Sequence, residues 1–214
     1  AYVDMWGRNE ENAGGSFIGR LFANSVVPWY TKEQNKTEAH DYITALFDVT
    51  GKRTVIPTSI EKNYSFGGEK IYLGSDEYQQ TQEIVGQLSH IGVTSLMSVK
   101  GYGDLTPDEQ ATLVGKVYEF ARAVAKADYA SAYGYSYDEE RKNVRMKEAI
   151  RAGLSIGEAL YIDYVANGFR ADKDSKGNSI PGTKKRKVIN FYRYMGLNKK
   201  QIDAINIYDD TILR

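Results

Sequence analysis

The stretch DKDSKGNSIPGTKKRK, from Asp172 to Lys187, holds the residues whose spacing comes nearest to a known chemistry. Its first half opens like a calcium loop. An EF-hand loop needs oxygen ligands at positions 1, 3 and 5, glycine at 6 and a bidentate glutamate at 12. Counted from Asp172, Asp172 and Asp174 fill positions 1 and 3, and Gly177 fills position 6. Lys176 stands at position 5 and Thr183 at position 12. A cation sits where a ligand must be and the strongest ligand is missing, so an exposed Asp- and Gly-rich turn is expected instead.

The second half reverses the charge. From Arg170 to Lys200 there are ten basic residues, opposed by Asp172 and Asp174 alone. Lys184, Lys185, Arg186, Lys187, Lys199 and Lys200 are therefore the candidate polyanion-binding residues. The run KKRKVINFYRYMGLNKKQIDAI reads as helix, glycine turn, helix, which a DNA-reading helix-turn-helix would share. Ile202 and Ile205 make its second helix too apolar for a recognition face, and base-reading side chains are sparse. The expectation is a basic surface whose contact with nucleic acid, if made, is nonspecific and salt-dependent.

Catalytic groups are thin. His40 and His90 are the two histidines, and no metal-binding spacing connects them. His40 reads as a solvated helix residue and His90 as one near a helix C-terminus. Glu10–Glu11 and Asp138–Glu139–Glu140 offer paired carboxylates of the kind used in glycoside hydrolysis. They read better as solvated loop ends, with Asp138 as a helix cap. GYGDLT at 101–106 is too short for a dinucleotide fingerprint and lacks its strand–helix context. No Gly-x-Ser-x-Gly elbow or phosphate loop is found. The absence of cysteine excludes disulfides, thiol nucleophiles and thiolate zinc sites. No catalytic residue, metal ligand or cofactor is assigned, and a non-enzymatic protein is expected.

The elements that would position the basic residues come from patterning. The chain has 214 residues, 42% hydrophobic and 26% charged, the balance of a globular protein. Its net charge of zero gives no global attraction to nucleic acid. The 17 tyrosines are expected mostly as packing residues with the hydroxyl at the surface. Residues 1–36 read as an N-terminal arm. Phe17, Ile18, Leu21 and Phe22 have helical spacing, and Pro28 stops that helix. With Trp29 and Tyr30 they are the candidate assembly contact, either packed on the main body or docked on a neighbouring subunit or membrane surface. No apolar run approaches the roughly 20 residues that span a bilayer. The start at Ala1, with no signal-peptide pattern, suggests a processed fragment of a longer chain.

Residues 37–214 read as a mainly α, multi-helix domain with a weak internal boundary near 131–137. A helix after Thr37 carries Ala39, Ile43, Leu46 and Phe47. Tyr64–Phe66 and Ile71–Leu73 flank Gly67–Gly68 as a small β-hairpin near 64–73. Ser75 is expected to cap a helix that breaks near Gly92. TPDE at 106–109 and SIGE at 155–158 are capping boxes. The first opens a core helix to about Ala130. A charged helix is expected from about Asp138 to Arg151. Thr183 is expected to cap a helix ending at Gly196, and NKKQ at 198–201 to open a last one.

The segment ALFDVTGKRTVIPTSIEKNYSFGGEKIYLGSDEYQQTQEIVGQ resembles part of large uncharacterised proteins of phages, prophages and mobile elements. LTPDEQATLVGKVYEFARAVAKADY is similar to their next helix, and GNSIPGTKKRKVINFYRYMGLNKKQIDAI to their closing glycine–lysine–arginine helix pair. Gly74 replaces their usual threonine, and Phe191–Tyr192 a plainer aliphatic pair. The resemblance covers roughly residues 40–205. It implies a virion structural or ejected internal protein of tape-measure, internal-virion or polyvalent type. Such a protein works through contacts with other virion subunits in an oligomeric assembly, located in the virion and, during assembly, in the bacterial host cytoplasm.

Overall fold

The structure, a computed structural model, describes residues 45–46 and 62–206. The arm with Phe17, Ile18, Leu21, Phe22, Trp29 and Tyr30, the acidic pair Glu10–Glu11, and His40 lie outside the described residues. Among the described residues the fold is mainly α, with one two-stranded sheet. In chain order the elements are β1 (Asn63–Phe66), β2 (Glu69–Tyr72), α1 (Ser75–Met97), α2 (Pro107–Tyr133), α3 (Arg141–Arg151), α4 (Ile156–Gly168), α5 (Thr183–Tyr194) and α6 (Lys199–Asn206). A single 3-10 turn, Tyr102–Asp104, stands between α1 and α2. Two compact units form. The first holds the described residues up to Thr94 and Thr106–Glu139; the second holds Ser95–Leu105 and the described residues from Glu140 onward.

In the first unit, β1 and β2 pair antiparallel, with Tyr64 opposite Ile71 and Phe66 opposite Glu69. Gly67 and Gly68 both have positive φ, 58° and 91°, the conformation a two-residue hairpin turn requires. Strand alternation puts Tyr64 and Phe66 on one face, and both are buried against Tyr129 and Ala130. Tyr64 meets Tyr129 edge-on at 5.5 Å, and Phe66 stacks on Tyr135 at 5.0 Å. The Lys126 ammonium lies 5.2–5.8 Å from the rings of Tyr137, Tyr64 and Phe66, within cation–π range. These tyrosines are packing residues, as their number suggested.

Helix α1 begins one residue away from the expected cap. The Gly74 carbonyl accepts from the Tyr78 N–H at 2.8 Å. The Gly74 N–H donates to Glu77 Oε2 at 2.9 Å. Gly74 thus takes the cap position and Ser75 is already helical. The expected break near Gly92 does not occur, because Val93 and Leu96 bury fully on either side of the next turn. An interior glycine costs a helix only about 1 kcal/mol, and that burial outweighs it. His90 is consequently mid-helix, not at a C-terminus.

Helix α2 starts at the expected capping box. Glu109 N–H donates to Thr106 Oγ1 at 3.4 Å, and Thr106 N–H donates to Glu109 Oε2 at 2.9 Å. Leu113, Val114, Val117, Phe120, Ala121 and Val124 all face inward. The helix runs past Ala130 to Tyr133 and closes at Gly134, whose φ is 72°. Tyr129 lies deep in the aromatic cluster, and burial, the Glu77 carboxylate and its tyrosine neighbours push its pKa up to about 12. The neutral phenol is therefore favoured by folding. Its contribution is complete below pH 10, where the unfolded chain's tyrosine is also neutral, and is lost as pH rises toward 12. We expect Glu77→Gln to lower this pKa toward its ordinary value, read as an earlier tyrosinate absorbance step in an alkaline titration.

In the second unit, α3 starts at Arg141, and the Glu140 carbonyl accepts from Asn143 and Val144. Asp138 lies before the cap and does not close the helix. Helix α4 starts at the expected box: Glu158 N–H donates to Ser155 Oγ at 3.1 Å and Ser155 N–H to Glu158 Oε2 at 2.7 Å. Helix α3 packs against α4 and α6, and α4 packs against α5. An ion pair between Arg145 of α3 and Asp163 of α4, 12% and 9% exposed, joins the first two. At the start of α4, Gly157 lies directly on the backbone of Ser95 and Leu96.

Candidate polyanion interface

The Asp172–Ile180 segment folds as a miniature hairpin, with Lys173 bridged to Ser179. Asp174 N–H donates to the Asn178 carbonyl at 2.8 Å, and Ile180 N–H to the Asp172 carbonyl at 2.7 Å. The Asp174 carboxylate turns inward on its own loop. It accepts from the N–H of Asn178 at 2.8 Å and of Lys176 at 2.9 Å. Those donors, Asn178 foremost, hold its carboxyl below the usual range. Its Oδ1 is thus engaged by the backbone of its own turn, and its Oδ2 accepts from the Asn178 side-chain amide at 3.3 Å.

This hairpin is latched to the start of α5. Thr183 is buried, and its Oγ1 accepts from the Asp172 N–H at 2.8 Å and donates to the Ile180 carbonyl at 2.8 Å. Thr183 was the expected cap, but the loop claims its hydroxyl. Gly182 takes the cap position instead, at φ 78°, with its carbonyl accepting from Arg186 N–H at 3.0 Å. No side chain caps α5 and no acid stands in its first turn.

Three cations follow Thr183 in that turn, and Lys187 comes next. Lys187 donates to the Asp172 carboxylate and, at 3.2 Å, to the Arg170 carbonyl. The Arg186 guanidinium lies 3.8 Å from Asp172. One carboxylate therefore serves two cations. Lys184 and Lys185 face no acid among the described residues, and Lys185 and Arg186 are exposed. The helix N-terminus adds a partial positive charge of about half a unit at the same place.

Lys199 and Lys200 open α6. Asn198 and Gln201 cap it reciprocally, at 3.0 and 2.9 Å, as expected. Both lysines are exposed. The structure does not gather the six candidates into one spot: Lys184–Lys187 and Lys199–Lys200 stand at opposite ends of α5, whose 12 residues span about 18 Å. Each helix of the pair has its own neighbour. Ile205 is buried and α6 packs against α3, while α5 packs against α4.

The exposed side of α5 holds residues that the charge count alone passed over. Val188 and Tyr192 are buried, which leaves Lys185, Arg186, Asn190, Arg193 and Tyr194 outward. Tyr194 is 62% exposed, and the Lys100 ammonium lies 3.9 Å from its ring centroid. Beneath it, Tyr161 is buried with its hydroxyl against Gly101. Burial first, then Asp104 and Tyr194, raise the Tyr161 pKa. The helical spacing of Arg186, Asn190 and Arg193 was readable, but which face of the helix is buried was not.

His90 is half-buried in the middle of α1, and Asp138 and Glu140 are exposed between α2 and α3. Among the described residues, no group of three or more His, Cys, Asp or Glu side chains is placed to hold a metal ion. Among them, too, no helix is long and apolar enough to cross a membrane. No protein-family model matches the chain, and neither a curated protein nor a solved structure matches it.

Proposed function

We propose that this chain is a non-enzymatic contact module of a phage virion protein, structural or ejected, and that the cationic start of α5 holds a polyanion, nucleic acid in the first instance. One observation carries the reading. Lys184 and Lys185 stand in an uncapped first helical turn with no acidic neighbour among the described residues. Positive charge at a helix N-terminus is locally unfavourable. An anionic partner relieves that repulsion, and each phosphate it brings releases a counterion. The setting we propose follows the sequence resemblance to phage and prophage proteins alone: an oligomeric assembly in which genome and subunits are packed together.

Lys184→Glu/Lys185→Glu tests the reading without disturbing the Asp172 latch, which Arg186 or Lys187 substitutions would. The double variant should keep the wild-type circular dichroism spectrum. Its affinity for DNA or RNA at low salt should fall roughly tenfold or more, and the slope of log K against log salt should shrink by about 1.4–1.8. Equal binding by the variant and the wild type would remove this site from the account. Binding to virion subunits with none to nucleic acid would make the polyanion an acidic protein surface.

A further inference from the structure

We propose that Tyr194 is a base-stacking residue, and that the nucleic acid held by α5 is a single strand lying along the helix's exposed face. This rests on the polyanion reading above and adds the class of ligand. Arg186, Asn190 and Arg193 are all exposed, with spacings of four and three. They form one row about 10 Å long on the helix surface. Tyr194 stands at the end of that row, and Lys199 and Lys200 follow beyond the turn at Gly196, whose φ is 77°. In chain order the exposed residues therefore run cations, amide, cation, aromatic ring, cations.

The ring is an unusual thing to leave in water at this position. At 62% exposed, Tyr194 buries little of its apolar surface in the fold. The other aromatics nearby are used for packing: Phe191 lies 6.4 Å from Tyr161 and 5.7 Å from Phe169, and Tyr192 is buried. Lys100 lies over one face of the ring, 3.9 Å from its centroid, and holds Tyr194, so a base would stack on the opposite face. A ring already held in place loses little rotamer freedom when a ligand arrives. Cations spaced along a track with an exposed ring among them suit a strand whose phosphates meet the cations and whose unpaired base meets the ring. A duplex keeps its base faces within the stack and offers groove edges instead, so it would engage the cations and leave the ring unused.

The test uses the full chain and three probes: a fluorescein-labelled oligothymidylate of about 20 nucleotides, a duplex of equal length, and inorganic polyphosphate as competitor. Tyr194→Ala should weaken single-strand binding roughly 5- to 150-fold. It should leave the salt slope, duplex binding and polyphosphate competition unchanged. Tyr194→Phe should bind the single strand like the wild type, because the ring remains. Tyr194→Leu, which keeps apolar bulk without a π-face, should behave like the alanine variant. Unaltered single-strand affinity in both the alanine and leucine variants would overturn the stacking role. So would equal losses on single strand and duplex, or a wild type that prefers the duplex; the polyanion reading would survive each of these. A wild type that binds none of the three probes would overturn both.

Discussion

Gly157→Ala should cost the second unit about 3 kcal/mol or more, read as a fall in the urea midpoint at unchanged slope. A Cβ at Gly157 would lie 2.2 Å from the Leu96 nitrogen, 2.5 Å from Leu96 Cα and 2.6 Å from the Ser95 carbonyl carbon. All three are backbone atoms, so no side chain can swing away to make room. The contact is also bonded: the Gly157 N–H donates to Ser95 Oγ at 2.8 Å, and pushing the helix off would break that hydrogen bond. Relief requires moving the start of α4. That helix carries Tyr161 and packs against α5, so the cationic face would move with it. Gly168, at the other end of α4, is the control, because nothing lies within 4 Å of a Cβ there. Gly168→Ala should be neutral or stabilise by up to about 1 kcal/mol. Equal small effects at both positions would contradict the close approach.

The ion pair between α3 and α4 carries the second large effect. Arg145 and Asp163 are 12% and 9% exposed, so little water reaches either charge. Removing one partner from such a pair strands the other and costs about 3–5 kcal/mol, whereas replacing both by apolar residues of similar size is often neutral. Asp163→Leu and Arg145→Met should each destabilise by several kcal/mol on that scale. The double variant Arg145→Met/Asp163→Leu should recover most of the loss. The four-point cycle of thermal or urea stabilities isolates the coupling. Single variants within about 0.5 kcal/mol of the wild type would mean that the pair behaves as a surface pair.

The two positions differ in how far the sequence announces them. Thr106–Glu109 and Ser155–Glu158 were readable because a capping box is complete within four consecutive residues. The hairpin was readable because Gly67–Gly68 can adopt the positive φ its turn needs. Gly157 was not, since its meaning lies in a contact with Leu96, far away in the chain. Gly92 was misread in the opposite sense: a glycine within an apolar pattern looks like a break until the burial of Val93 and Leu96 is known. The shifted caps at Gly74 and Gly182 share one cause. Glycine can occupy the cap position itself and leave the neighbouring Ser75 or Thr183 hydroxyl to other use. At Thr183 that use is the latch on the Asp172 loop.

The candidate interface was half legible. Lys184–Lys187 stood out as a run, and the uncapped helix start sharpened it. The two lysines of α6 looked like part of the same patch, yet a folded helix separates them. The outward row of Arg186, Asn190 and Arg193 needs Val188 and Tyr192 to define the buried face. The pairing of Lys100 with Tyr194 has no local signal, because tertiary packing alone brings them together.

The polyanion contact is tested most directly by the salt dependence of the wild-type protein on a single-stranded oligonucleotide. Affinity should be measurable at about 50 mM salt and fall linearly in log–log form through about 200 mM, with a slope near −3 to −4 for four to six phosphates met by Lys184–Lys187 and their neighbours. No binding at the lowest salt, or binding indifferent to salt, would contradict the account.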